Sequence, residues 1–225
     1  MYKVTLNKSY YATPAHEFNI PSGHACPAAV VCKVCVDRQT GKFKDHSTEF
    51  RCYAVSAERF PAVRSRRRQN YDYVKSGGVV AVPCGCKYFR IHQSGDFFSQ
   101  AYFDMWLQVC SGNPRVLFWA FTKSVNFWVE RLGSIPRNII LTASYGGKHD
   151  GLIKEYGLKS VKVVREVSDA DGLPIDSNVA RARGGDFCIL DTNVRGRDGC
   201  ADIGGGGLIK EKVIYNPLKT VVLYF

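Results

Sequence analysis

The chain has 225 residues and a formal net charge of +11, with 45% hydrophobic and 12% aromatic residues. That is enough chain for one domain with a real core and no disulfide staples. No apolar run approaches the roughly 20 residues a bilayer span needs, so a membrane partner is not expected.

The opening Met1-Tyr2-Lys3-Val4-Thr5 has no signal-like apolar stretch, and the expected location is the cytoplasm. Thiols stay reduced there, which makes metal binding the leading use of the nine cysteines. The basic balance raises nucleic acid or another polyanion as a partner.

In chain order, residues 13–52 come first. They read as an irregular segment with Pro14, Pro21, Gly23, Pro27 and Gly41 among polar residues, and a bound metal would order it. Residues 53–78 read as a basic helical segment broken at Pro61, with Phe60, Val63, Tyr71 and Val74 near helical spacing.

Residues 79–191 alternate short β-branched or aromatic runs with amphipathic stretches, the pattern of a parallel βα architecture. The predicted strands are Val79–Val82, Tyr88–His92, Val116–Phe121, Ile139–Thr142, Val161–Arg165 and Phe187–Leu190. Ser99 is the expected N-cap of a helix with Tyr102, Phe103, Trp106, Leu107 and Cys110 on one face, ending at Gly112. Val125–Leu132 before Gly133 and His149–Tyr156 before Gly157 are the next two helices.

Residues 192–225 form a Gly-rich tail with Gly204-Gly205-Gly206-Gly207 and a terminal strand over 220–225. The whole chain reads as one α/β domain. Its core is a parallel βα sheet or a partial, open TIM-like barrel, carried with the cysteine-bearing N-terminal segment.

The densest chemistry lies in Cys26-Pro-Ala-Ala-Val-Val-Cys32-Lys-Val-Cys35 and in Cys52 beyond it. Thiolates on loops can converge on a metal, whereas a regular element would splay them. Only Cys32 and Cys35 form the short hook typical of structural zinc, so an iron–sulfur cluster, [4Fe–4S] in type, is expected ahead of zinc. Cys84, Cys86, Cys188 and Cys200 are alternative fourth ligands, and three cysteine ligands alone would leave one iron open.

A second constellation follows the strand that ends at His92. Functional groups in parallel βα folds collect at strand carboxyl ends, which singles out His92, Asp96 and Lys123 as catalytic candidates. Ser94, Gly95, Thr122 and Ser144 share that rim as candidates for holding a cofactor. Arg64, Arg66, Arg67 and Arg68, with Tyr71 and Tyr73 nearby, are the candidate nucleic-acid contacts. No metalloprotease helix, nucleophile elbow or phosphate loop is present, so hydrolase readings have little support.

Several blocks together resemble the gene product 88 family of actinobacteriophages and mycobacteria. They are Pro21-Ser-Gly-His-Ala-Cys26-Pro-Ala, Asp37-Arg-Gln-Thr-Gly-Lys42, Phe50-Arg-Cys-Tyr-Ala54, Arg90 to Asp104, Phe121-Thr-Lys-Ser124, Leu141-Thr-Ala-Ser144 and Gly172-Leu-Pro-Ile-Asp176. The resemblance runs from about residue 20 to 178 and implies a phage-encoded protein. It also implies retention of cysteines at Cys26, Cys32 and Cys52, with Cys35 less regular.

A looser likeness is to radical S-adenosylmethionine enzymes, which place a three-cysteine [4Fe–4S] loop before a partial βα barrel and a Gly-Gly-Glu-type turn after a following strand. Ser94-Gly95-Asp96 sits where that turn would be, but the spacing here is Cys-x5-Cys-x2-Cys rather than Cys-x3-Cys-x2-Cys. The expectation is an iron–sulfur protein with a redox or radical-type role, S-adenosylmethionine as a possible ligand and a redox protein as a possible partner. The alternative is a zinc- or cluster-stabilised nucleic-acid-binding module.

Overall fold

The computed structural model describes residues 2–8, 14–44, 51–165, 167–171, 173 and 187–190. Met1–Asn193 form one compact unit. The tail from 194 onward, with its tetraglycine, the strand expected over 220–225 and Cys200, lies outside the described residues.

Nine strands are described: β1 (Thr5–Asn7), β2 (Ala15–Phe18), β3 (Cys35–Val36), β4 (Phe43–Lys44), β5 (Tyr88–Ile91), β6 (Leu117–Thr122), β7 (Ile139–Ser144), β8 (Ser160–Val164) and β9 (Phe187–Leu190). The α-helices are α1 (Pro61–Lys75), α2 (Gln100–Gly112), α3 (Val125–Val129) and α4 (Asp150–Glu155). Seven strands form one sheet in the order β1-β2-β5-β6-β7-β8-β9, while β3 and β4 pair as a separate hairpin. All neighbours from β2 to β9 are parallel, and β1 is an antiparallel edge.

This order follows from the connections. Each parallel neighbour needs a crossover, and right-handed crossovers between successive strands bring successive helices to one face. Side-chain alternation divides the two faces. Phe89, Ile91, Phe118, Ala120, Leu141 and Ala143 enter the main core with Phe103, Trp106 and Trp128 from the helices. Trp119, with Tyr88, Phe121 and Ile140, lies in a second cluster from the alternate positions. The sheet has two distinct edges, so a mostly parallel open sheet describes it, and no closed barrel is formed among the described residues.

Local chemistry accounts for the helix ends. The Ser99 hydroxyl accepts from the Tyr102 N–H at 3.2 Å and starts α2. Pro61 breaks the basic segment as predicted: a 3-10 turn (Tyr53–Arg59) precedes it, and Pro61 then occupies the first turn of α1, where its missing N–H costs nothing.

Two expectations need correction, and a third needs an addition. Residues 14–44 are mostly turns and irregular backbone, as expected, but they also supply β2, which sits inside the main sheet. The polar His16 and Glu17 hid that strand, and Glu17 is nevertheless buried, accepting from the side-chain amides of Asn7 and Asn19. Val79–Val82 forms no strand, and the Ala81 N–H goes to the Tyr2 hydroxyl. The predicted Val125–Leu132 helix ends early, because Arg131 leaves helical geometry and forks onto Asp104 of α2 with two contacts of 2.9 Å.

Candidate metal centre

The cysteine segment 26–35 follows β2 and crosses the carboxyl rim of the sheet. Backbone bonds fasten it there: the N–H groups of Val30 and Val31 donate to the Gly146 carbonyl, and Lys148 N–H donates to the Ala28 carbonyl. Asp150 receives the Gly146 and Gly147 N–H groups, which fixes the shape of the loop after β7. The Asp96 N–H donates to the Ala25 carbonyl, tying the turn after β5 to the same segment.

Asp96 lies buried at the centre of the rim. Its carboxylate accepts from the Phe97 N–H at 2.7 Å, the Thr122 hydroxyl at 2.6 Å and the Lys123 N–H at 2.8 Å. Burial pushes its pKa up to about 6 even though these donors favour the charged form. The Lys123 ammonium donates to the Ser144 hydroxyl at 2.7 Å, the Ser144 carbonyl at 3.3 Å and the Tyr145 carbonyl. The ends of β5, β6 and β7 are thereby joined through one carboxylate and one amine.

Three cysteines lie within electrostatic reach of this point. The Cys26 thiol is raised well above its usual value by burial, then by the negative charge of Asp96 and by Cys52. Burial pushes Cys32 up to about 11, Lys123 opposes the shift, and Cys52 and Asp96 add to it. Cys52 begins the 3-10 turn. Burial raises it too, while the Ala54 and Val55 N–H groups, the Ser22 hydroxyl and Arg67 favour its thiolate. These thiols therefore feel one another, and donors are aimed at them.

Cys35 stands apart on β3. Its sulfur packs against Gly23, and after burial its strongest electrostatic neighbours are Lys33, Glu58, Lys44 and Arg68 rather than other thiols. Cys84 and Cys86 precede β5, at the amino end of the sheet, and Cys110 is fully buried in α2. Cys188 lies on β9. Among the described residues, no three His, Cys, Asp or Glu groups close around a single metal ion.

The other rim candidates make contacts within the rim. Ser94 bonds the Ile20 carbonyl and the Ser22 hydroxyl, each at 2.9 Å. Gly95 sits at φ +91°, and a Cβ there would lie 2.2 Å from Ile20 Cγ1. Thr122 and Ser144 serve Asp96 and Lys123 as described above.

His92 does not join the thiols. It is enclosed by Phe97, Tyr102 and Trp106, with Nε2 2.8 Å from the Tyr102 hydroxyl and Nδ1 buried without a partner. Burial, then Arg90, lowers its pKa to about 3, so the ring is neutral.

Sequence reasoning passed over Glu58, a buried carboxylate that accepts from Arg67 at 2.9 Å and from the Ser22 N–H at 2.7 Å. It links the turn after Cys52 to the segment entering Cys26. A glutamate among arginines gives no pattern that separates it from a solvated face. Its partner Arg67 also donates to the Ala54 carbonyl. Arg64 donates to the carbonyls of Arg38, Gln39, Glu58 and Arg59, so these two arginines hold the framework. Arg66 and Arg68 keep partial exposure, and Arg68 lies 5.9 Å from the Tyr71 ring.

No helix among the described residues is long and apolar enough to cross a membrane. No solved structure matches the chain. It is similar to the "Gene 88 protein" of Mycobacterium phage L5, 54% identical over 120 residues, and to that of Mycobacterium phage D29, 31% identical over 120 residues. Each match covers 48% of this chain and 48% of the relative, so the chain spans about half the length of the curated relatives it matches. The family model described as Gene product 88 matches residues 2–204, which is most of the sequence, and the chain belongs to that family.

Proposed function

We propose that Cys26, Cys32 and Cys52 hold an iron–sulfur cluster at the carboxyl rim of the sheet, with a redox or radical-type role. The observation that carries this reading is that three buried thiols from two separate loops lie within electrostatic reach of one another beside Asp96 and Lys123. Burial holds them neutral, so their thiolates form only with a cationic partner, and soft sulfur donors suit iron–sulfur clusters.

One zinc bound at about 2.3 Å by several sulfurs draws them to within roughly 4 Å of one another. A cluster spreads its ligands over separate irons and so asks for less close an approach of the sulfurs than a single ion does. Asp96 is occupied by three donors, so a three-cysteine centre would leave one iron for an outside ligand.

S-adenosylmethionine is the ligand we infer for that position. The cysteine loop follows β2 and Ser94-Gly95-Asp96 follows β5, the next parallel strand, so both stand at one rim.

The test is iron, acid-labile sulfide and zinc content with an absorption spectrum on protein purified without oxygen. Iron and sulfide in near-equal amounts are expected. Cys26→Ser, Cys32→Ser and Cys52→Ser should lose them, and Cys110→Ser should keep them. Zinc alone, or no metal, would overturn the cluster reading. If the cluster is present and added S-adenosylmethionine neither perturbs its spectrum nor is cleaved, that ligand is wrong.

A further inference from the structure

The cysteine-bearing segments also carry most of the chain's excess charge. Across residues 33–68 there are ten Lys or Arg against four acidic residues, Asp37, Asp45, Glu49 and Glu58, and Glu58 is buried on Arg67. Arg64 binds the Arg38 and Gln39 carbonyls and so fastens the β3–β4 hairpin onto the start of α1. Lys42, Lys44, Arg51 and Arg59 are exposed on the combined surface. Lys42, Phe43 and Arg59 line a shallow, open concavity with Thr40 and Gly41. Phe60, beside Arg59, is 66% exposed, and Arg51 lies over the Phe43 ring at 5.0 Å.

This face is continuous with the surroundings of Cys52. Phe43 and Cys52 each pack against the small apolar cluster of Val34, Val36 and Val55. A molecule seated on the hairpin would therefore be separated from Cys52 by that cluster.

Resting on the reading of Cys26, Cys32 and Cys52 as a redox centre, we propose that this hairpin–α1 face docks a small acidic electron-transfer protein. One electron would leave the reduced carrier and enter the centre, with no bond made or broken. Exposed aromatic surface ringed by charges of one sign is the anatomy of a transient protein interface, and complementary charge speeds encounter more than it tightens binding. Nucleic acid is the less favoured occupant, because Arg64 and Arg67 are committed to the protein's own carbonyls and carboxylate.

The experiment follows reduction of the centre by stopped flow. One electron source is a reduced plant-type ferredoxin of acidic composition, and the other is reduced methyl viologen, a small cation. The paired substitution Lys42→Glu and Arg59→Glu should slow reduction by the ferredoxin about tenfold or more at low salt. Reduction by methyl viologen should not be slowed, and the wild-type rate with ferredoxin should fall as salt rises. Equal ferredoxin rates in wild type and variant would overturn the proposal. So would a variant slowed with both reductants, or one that loses single-stranded oligonucleotide binding while its ferredoxin rate stands. Protein without iron would remove the underlying reading instead, and the metal assay shows that before any rate is measured.

Discussion

Glu58 and Arg67 meet at 2.9 Å with both side chains nearly buried, and the same carboxylate oxygen accepts the Ser22 N–H at 2.7 Å. One ion pair therefore connects α1, the turn after Cys52 and the approach to Cys26. Breaking a buried pair leaves a charge without compensation, which typically costs about 3–5 kcal/mol. Arg67→Met should destabilise the protein by that amount in urea unfolding. The double change Glu58→Leu with Arg67→Met should cost less than Arg67→Met alone, because no buried charge is stranded. Equal losses would show that the pair contributes only packing.

Gly95 allows the turn after β5 to approach Ile20. Its φ of +91° is rarely adopted by L-residues, and a Cβ would meet Ile20 Cγ1 at 2.2 Å. Gly95→Ala should cost at least about 2 kcal/mol through backbone strain and overpacking together. Asp96 is the next residue, so if the proposed cluster is present the variant should also lose it more readily. A Gly95→Ala protein as stable as wild type would mean the loop relaxes freely.

His92 predicts an acid-side loss of stability. Its folded pKa of about 3 lies below its ordinary value of 6.5, because burial disfavours the charged ring. Between those values the unfolded chain binds the proton and the native state does not, so stability falls as pH drops through the window. The full effect is of order 3–5 kcal/mol, at about 1.4 kcal/mol per unit. His92→Asn suits the site because asparagine tolerates the positive φ of 66° there. Unfolding measured at pH 7 and pH 4.5 should show a smaller difference in that variant than in wild type.

Asp96 has the opposite sign. Its folded pKa of about 6 lies above its ordinary 3.8, so the native state takes up the proton first. This contribution is present below 3.8 and is lost as pH rises through 6, a change of order 2–3 kcal/mol. Asp96→Asn should therefore remove stabilisation seen at pH 4. At pH 7 it should still cost about 1–3 kcal/mol, because the Lys123 N–H or the Phe97 N–H loses a charged acceptor. A pH profile identical to wild type would refute this assignment.

Short-range pattern was enough for much of the fold. Alternating apolar runs marked β5 to β9, and Ser99 and Pro61 marked helix starts, because capping and periodicity act within one turn or one strand. The prominence of Cys26, Cys32 and Cys52, and of the rim after β5 and β6, was likewise legible from residue type and position.

Tertiary structure decided the rest. β2 is a strand although it carries His16 and Glu17, because parallel pairing to β5 supplies its ladder from more than 70 residues away. Cys35 looks like part of the cysteine group in sequence, yet its place in the β3–β4 hairpin gives it other neighbours. Arg64 and Arg67 look like a solvated basic run until Glu58 and a set of backbone carbonyls are brought to them. Asp96 and Lys123 meet Cys26 and Cys32 only because crossovers carry successive strand ends to one rim. Charge, burial and thiol reactivity there depend on neighbours distant in sequence, which local spacing does not encode.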